Sequence, residues 1–399
     1  MNDCSVKDTF ILSQVGIYLR KLNESGAFIN KLTELGLNVL IKNQYVLNAY
    51  IWCLYDVEIK SYEYSEDIEA FNKFQATAQF ITNNCKQLSS EESHKNPYIL
   101  TIKKYIRIIK NRAYANPHNI LEWVNKLNPE LLSMEPQKWN DFSVPSDKEF
   151  YYYIRSKALE KTNSFEECIK CCERALTVFE NQKLHYGNNI WFIARKLYCK
   201  CRLNLSIDTI RDYEKVTEKY KFWYMYHKVS ELYFSIGETK KALICSLKAL
   251  LSDNFDCEKM INLFFDIGLL LETENYKREA KMFYHCAAHH RSQFRWYINE
   301  ELRFAIKEYE IDIEENVDHL KLKEVAANIL IRIDGFIKGK ITMVDISKKF
   351  GFITYDKNKS IHFNFKTLNR KIDKDKDIIF KIGYNLKNKK ETAIEAFLI

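Results

Sequence analysis

Residues 163–176, NSFEECIKCCERAL, lie without a gap over residues 237–250, GETKKALICSLKAL. The alignment sets Cys168 on Ala242, Cys172 on Ser246 and Ala175 on Ala249. Positions four and seven apart share one face of a helix, so each segment presents a ladder of small side chains to a neighbour. A small-residue face lets another helix approach closely, which is how stacked helical repeats bury a core that one copy cannot form alone. Thr209 with Val216, and Ala280 with Ala287 around Tyr284, extend the ladder. Ala175, Val216, Ala249 and Ala287 are 41, 33 and 38 residues apart, so the repeat is irregular.

The segments ahead of these ladders fit the same plan. Phe264, Ile267, Gly268 and Leu271 run large, apolar, small, large, and Tyr226, Val229, Ser230 and Tyr233 repeat that order. In the second copy only Trp191, Ala194 and Leu197 mark the first helix. These two-helix units resemble tetratricopeptide repeats, whose period is about 34 residues. The resemblance implies a mainly α fold, with a TPR-like α-solenoid of about four helical hairpins over residues 146–310 and a capping and linker helix over 311–335. Closing helices are expected at 292–309 and 317–333. A concave face of the solenoid would receive a protein partner.

Upstream, residues 1–145 read as a separate helical region, either divergent repeats or a bundle. Phe10, Ile11, Val15, Tyr18, Leu19 and Leu22 keep helical spacing, and comparable patterns cover 37–55, 68–88 and 98–112. Pro129, Pro136 and Pro145 fall together, and proline disfavours helix at itself and at the preceding residue, so a new element is expected near Ser146.

Downstream the texture changes. Gly335, Gly339, Gly351 and Gly383 separate short runs rich in β-branched and aromatic residues, so 336–399 reads as a small antiparallel β-barrel. Within it, Phe350 and Phe352 would share one face of a strand, and Gly351 between them would let a ring approach from the other side. Residues 339–353, GKITMVDISKKFGFI, together with 361–365, IHFNF, resemble the first strands of the cold-shock domain, an OB-fold barrel of five strands. Later strands are expected at 377–380 and 392–394. The resemblance implies binding of single-stranded RNA or DNA, RNA foremost, by stacking on Phe350, Phe352, His362 and Phe365, with Lys348, Lys349 and Lys366 near phosphates. Met343 stands where the family usually has tryptophan, His362 where it has phenylalanine, and Asn364 where it has histidine. Stacking contributes about 1–3 kcal/mol per base, so these departures weaken the platform without erasing it.

Charge distribution agrees with that location. From residue 336 onward there are 15 Lys and Arg against 7 Asp and Glu; taking these from the chain totals of 61 and 53 leaves 46 of each upstream. The formal charge of +8 therefore resides in the tail. The hydrophobic fraction of 46% supports a packed core throughout, and the most apolar run, 261–271, contains Asp266 and is far shorter than the ~20 residues of a membrane span. No signal peptide is read at the start, none of the 11 cysteines lies in the tail, and a cytoplasmic protein with reduced thiols is expected.

No nucleophile elbow, phosphate-cradling glycine loop or acidic pair points to an enzyme, and no cofactor or metal is expected. Cys168, Cys171 and Cys172, and Cys199 with Cys201, have the closeness of zinc ligands, yet Cys168 and Cys172 occupy ladder positions filled elsewhere by Ala242 and Ser246. His285, His289 and His290 have helical spacing without an intervening acid, and read as satisfied or surface histidines. The aromatic runs 150–153 and 222–226 read either as interhelical packing or as a peptide groove. The leading expectation is a non-enzymatic adaptor, with a protein partner on the solenoid and single-stranded nucleic acid on the barrel. Its resemblance to bacterial proteins of mobile-element and antiphage conflict systems places it in that setting. The alternative is a purely protein-binding scaffold whose barrel has lost its ligand.

Overall fold

The computed structural model describes residues 6–65, 67–88, 96–112, 115–139, 142–252, 256–357, 359–368, 372–385 and 390–399. The chain divides into two compact units, residues 1–196 and 197–399.

In the first unit, α1 (Val6–Lys21), α2 (Ser25–Leu35), α3 (Leu37–Leu40) and α4 (Gln44–Leu54) lead through a π-helical turn, Tyr55–Lys60, to α5 (Ile68–Asn84), α6 (Pro97–Ile109) and α7 (Pro117–Asn125). Side-chain oxygens of Asn43, Asp67, Asn96 and Asn116 accept the first free N–H groups of α4, α5, α6 and α7, and proline opens the last two. The proline cluster forms a short ribbon of β1 (Gln137–Trp139) and β2 (Phe142–Val144), which a purely helical reading did not contain. Ser146 then caps α8 (Asp147–Lys161), followed by α9 (Phe165–Val178). Lys103 of α6 forms a buried ion pair with Asp147 at the start of α8, so this unit continues through the prolines. The next helix, α10 (Asn188–Leu203), spans the division between the units.

The second unit continues with α11 (Ile207–Tyr220), α12 (Trp223–Ser235), α13 (Thr239–Leu251), α14 (Cys257–Thr273), α15 (Lys277–Gln293), α16 (Glu300–Glu308) and α17 (His319–Asp334). Helices α8 with α9, α12 with α13, and α14 with α15 pair as hairpins, and these three meet at equivalent small residues. The Cys168 thiol of α9 donates to the Ser156 carbonyl of α8 at 3.3 Å. Ser230 of α12 and Ser246 of α13 bring their hydroxyls to 2.5 Å, and Ser230 also donates to the Ala242 carbonyl at 2.8 Å. A Cβ on Gly268 of α14 would fall 2.7 Å from the Tyr284 ring of α15. Cys168, Cys172, Ala175, Ala242, Ser246, Ala249, Ala280 and Ala287 are all fully buried, as a ladder facing its partner helix requires.

Helix α11 differs from the sequence reading. Its inward face is Ile210, Tyr213 and Thr217, one residue on from Thr209 and Val216. Thr209 is used at the helix start, where it and Ser206 form a reciprocal capping box. The closing helices also differ in extent: α15 runs on to Gln293, and α16 covers only Glu300–Glu308.

Gly335, at φ 71°, adopts the left-handed conformation that ends α17 and turns the chain into the barrel. Strands β3 (Ile337–Asp345), β4 (Phe350–Tyr355), β5 (Lys359–Asn364), β6 (Asp377–Asn385) and β7 (Lys390–Leu398) close in the order β3-β4-β5-β7-β6, with β3 also pairing β6. Among the described strands, β5 and β7 alone run parallel. Alternation fills the barrel with Ile341, Ile353, Ile361, Phe363, Ile378, Phe380 and Ala393. The molecule is thus mainly α, with helical hairpins followed by a small closed β-barrel of OB-like topology.

The barrel packs against the helices of its own unit through β6 and β7. Lys248 of α13 lies 2.8 Å from Glu395 and 3.4 Å from Asp334, while Lys381 lies 2.8 Å from Asp334 and 3.4 Å from Glu395. Phe336 and Phe397 are buried beside this network, with Lys381 4.7 Å above the Phe336 ring. Lys221 donates to the Thr367 carbonyl at 2.5 Å. Among the described residues, no helix is long and apolar enough to cross a membrane.

Candidate nucleic-acid interface

The face formed by β4 and β5 follows from one alternation. Gly351 and Ile353 point into the barrel, which sends Phe350 and Phe352 outward. A Cβ at Gly351 would lie 2.5 Å from the Met343 carbonyl oxygen and 2.6 Å from the Phe363 ring. The ring that approaches this glycine is therefore Phe363, filling the interior directly beneath the outer pair.

On β5, His362 pairs in register with Phe352, and Asn364 with Phe350. The three rings form one half-buried cluster. Phe350 and His362 lie nearly parallel with centroids 5.4 Å apart, and Phe352 meets both edge-on, at 6.0 Å from Phe350 and 5.8 Å from His362. His362 is held from behind by β7, where the Thr392 hydroxyl donates to its carbonyl at 2.9 Å. Met343 is the β3 partner of Phe352, beyond a register shift in β3, and is 42% exposed. Met343 therefore borders the ring cluster.

Lys348 and Lys349 are exposed in the turn between β3 and β4. Asp345 shapes that turn by accepting from the Ser347 hydroxyl at 2.6 Å and the Lys348 N–H at 2.9 Å. Those bonds, the Ser347 hydroxyl foremost, hold its carboxyl below the usual aspartate range. Lys349 has φ 57°, and its carbonyl accepts the Phe365 N–H at 3.0 Å. Several other tail cations already have partners: Lys338 with Asp377, Lys359 with Asp356, and Lys381 with Asp334. Among the described residues, no carboxylate stands within ion-pair distance of Lys348 or Lys349.

Phe365 sits apart from the cluster. It occupies the short helical turn after β5 and lies parallel to Phe363, packed on the barrel core. The Lys366 side chain lies outside the described residues. Sequence reasoning passed over the hydroxyls that continue the outer face: Thr342 and Thr354 are 3.0 Å apart, and Thr354 pairs with Ser360 and Lys340. The signal for them was strand alternation, since they share the parity of the rings.

Other singled-out groups find different surroundings. Cys168, Cys171, Cys172, Cys199 and Cys201 are buried between helices, and Cys201 donates to the Thr209 carbonyl. Burial pushes the Cys171 and Cys201 thiols up to about 11. His285 and His289 bond to the carbonyls of Glu315 and Ile313. The 150–153 run divides: Tyr151 and Tyr152 are packed inside, while Phe150 and Tyr153 line a cavity of about 400 Å³ with Arg107, Lys110 and Trp191. Tyr226 packs edge-on against Phe397 of the barrel.

No protein-family model matches this chain, and no curated protein matches it.

Proposed function

We propose that the barrel binds single-stranded nucleic acid, RNA foremost, and that the helical hairpins hold a protein partner, making the chain a non-enzymatic adaptor. The observation that carries this reading is the cluster of Phe350, Phe352 and His362 on the outer barrel face beside the exposed Lys348 and Lys349, which have no carboxylate within ion-pair distance among the described residues. In OB folds, the second and third strands and the loop between the first and second are the usual oligonucleotide surface. Here those elements are β4, β5 and the Lys348–Lys349 turn. Rings supply sequence-tolerant stacking, and lysines supply phosphate attraction that weakens with salt. The cold-shock and tetratricopeptide resemblances support the same assignment, and with it a bacterial mobile-element or antiphage setting. For the helices, the cavity bordered by Phe150, Tyr153, Trp191, Arg107 and Lys110 suits an acidic segment carrying an aromatic anchor.

The test is fluorescence anisotropy of labelled single strands with the full chain at low salt. Isolating 336–399 would uncover Phe336 and Phe397, so the full chain is the right reagent. Binding that weakens with salt and with loss of the rings supports the proposal, and no binding at tens of micromolar sinks it. The scaffold alternative draws on the Phe350–His362 stack, which already occupies part of the ring surface. It expects protein partners that survive nuclease treatment and no oligonucleotide affinity.

A further inference from the structure

Three residues far apart in sequence meet where α14 begins, α15 ends and α17 begins. The Cys257 Sγ lies 3.4 Å from the His319 Nε2, and the His290 Nε2 lies 2.9 Å from the same nitrogen. All three atoms fall within 4.8 Å of one another. His290 is 5% exposed, and Cys257 and His319 are half-buried. We propose that Cys257, His290 and His319 form a site for one zinc(II) ion.

The distances are close to what the ion needs. With zinc–nitrogen bonds of about 2.0–2.1 Å and a zinc–sulfur bond of about 2.3 Å, tetrahedral geometry puts two ligand nitrogens about 3.3 Å apart and nitrogen and sulfur about 3.5 Å apart. The two imidazoles point their Nε2 atoms at each other, since the ring centroids are 5.1 Å apart while the nitrogens are 2.9 Å apart. Without metal, one Nε2–H donates to the other nitrogen. Zinc entry opens that edge by a few tenths of an ångström and requires the rings to tilt, so that the two Nε2 lone pairs turn from facing each other toward a shared tetrahedral centre.

The donor set is selective. One thiolate and two imidazoles suit a borderline-soft ion, whereas calcium and magnesium prefer oxygen ligands. Asp256 and Asp318 directly precede two of the ligands and cap α14 and α17; Lys259 already pairs with Asp256 at 2.6 Å, so the exposed Asp318 is the carboxylate that leaves negative charge close to the ion. Three protein ligands leave a fourth position for water. A second convergence, His227 with Glu231 and Asp266, is less suited because Lys228 already neutralises Glu231 at 2.7 Å. Bound zinc joins the first turn of α17 to the last complete hairpin, and α17 leads directly into the barrel.

The full chain, stripped by a chelator under reducing conditions, is titrated with zinc(II) against a chromophoric competitor and with cobalt(II) by absorption. The expected result is one equivalent of zinc and, for cobalt, a thiolate-to-metal charge-transfer band with tetrahedral ligand-field bands. Cys257→Ser should abolish the charge-transfer band. His319→Ala should lower zinc affinity by more than about a hundredfold, beyond the loss typical of an outer-shell partner. A wild-type chain that takes up no stoichiometric zinc overturns the site, a result independent of whether any variant folds. So does an unchanged cobalt band in Cys257→Ser, which would assign the metal to other cysteines.

Discussion

The Lys248 ammonium on α13 sits 2.8 Å from the Glu395 carboxylate on β7, at a position where the lysine side chain is only 5% exposed. Burial alone would lower the lysine pKa, but Glu395 and Asp334 outweigh it and raise the pKa above the ordinary value. A raised lysine pKa contributes stability that is complete below the unfolded value of about 10.4 and is lost as pH rises through the folded value. Chemical unfolding of the wild type should therefore show no loss of this contribution between neutrality and about pH 9.

Lys248→Met leaves Glu395 and Asp334 sharing Lys381 alone. Removing one partner of a buried pair costs about 3–5 kcal/mol, so a large drop in the denaturation midpoint is expected. Lys248→Met with Glu395→Gln should recover part of the loss. If the double variant is no more stable than the single one, the uncompensated Glu395 charge is not the source of the cost.

Phe350→Ala and Phe352→Ala should each weaken oligonucleotide binding by about 1–3 kcal/mol, or about fivefold to 150-fold. Replacing Lys348 and Lys349 by glutamine should reduce the salt slope by about 1.4, at about 0.7 per single-strand phosphate contact. Anisotropy titrations over a salt series separate the two effects. Ring variants that bind as tightly as wild type would remove the platform from the mechanism.

Met343→Trp is the corresponding gain. Met343 pairs with Phe352 and is 42% exposed, so an indole there would extend the ring cluster without entering the core. Affinity should rise by up to about 3 kcal/mol, the upper end for one added stack. An unchanged affinity would mean that the bound strand does not run over β3.

Gly351→Ala should destabilise the barrel by at least about 1–3 kcal/mol, because the new methyl must displace the β3 backbone or the Phe363 ring. Gly26→Ala on α2 is the control: beyond its chain neighbours and its own helix backbone nothing lies within 4 Å of its Cβ, and alanine improves helix propensity by up to about 1 kcal/mol. Denaturant unfolding followed at both units distinguishes them, and equal effects at the two glycines would contradict the packing argument.

The sequence was most legible where one residue type served one purpose. Cys168, Cys172, Ala242, Ser246 and Ala249 could be read as a ladder because all are small at helical spacing, and all are fully buried. Thr209 misled because threonine is also a capping residue, and at α11 the cap prevailed. Strand parity made Phe350 and Phe352 readable as neighbours and the cold-shock resemblance added His362, but neither could show that Phe365, just past the end of β5, turns onto the core. The network of Lys248, Asp334, Lys381 and Glu395 was invisible for a physical reason: each charge in isolation looks like a solvated one, and only the tertiary fold pairs them. Cys257 and His319, 62 residues apart, were hidden similarly, because no helical spacing links them as it links His285, His289 and His290.

The left-handed turn at Lys349 has a consequence for the kinetics and cost of capture. Its carbonyl is tied to the Phe365 N–H and its neighbour's N–H to Asp345, so the backbone carrying the two lysines is organised before a strand arrives. Binding then orders side chains rather than a loop, at about 0.5–1.5 kcal/mol for each one immobilised. A platform with few rings can tolerate that toll where a floppy one could not.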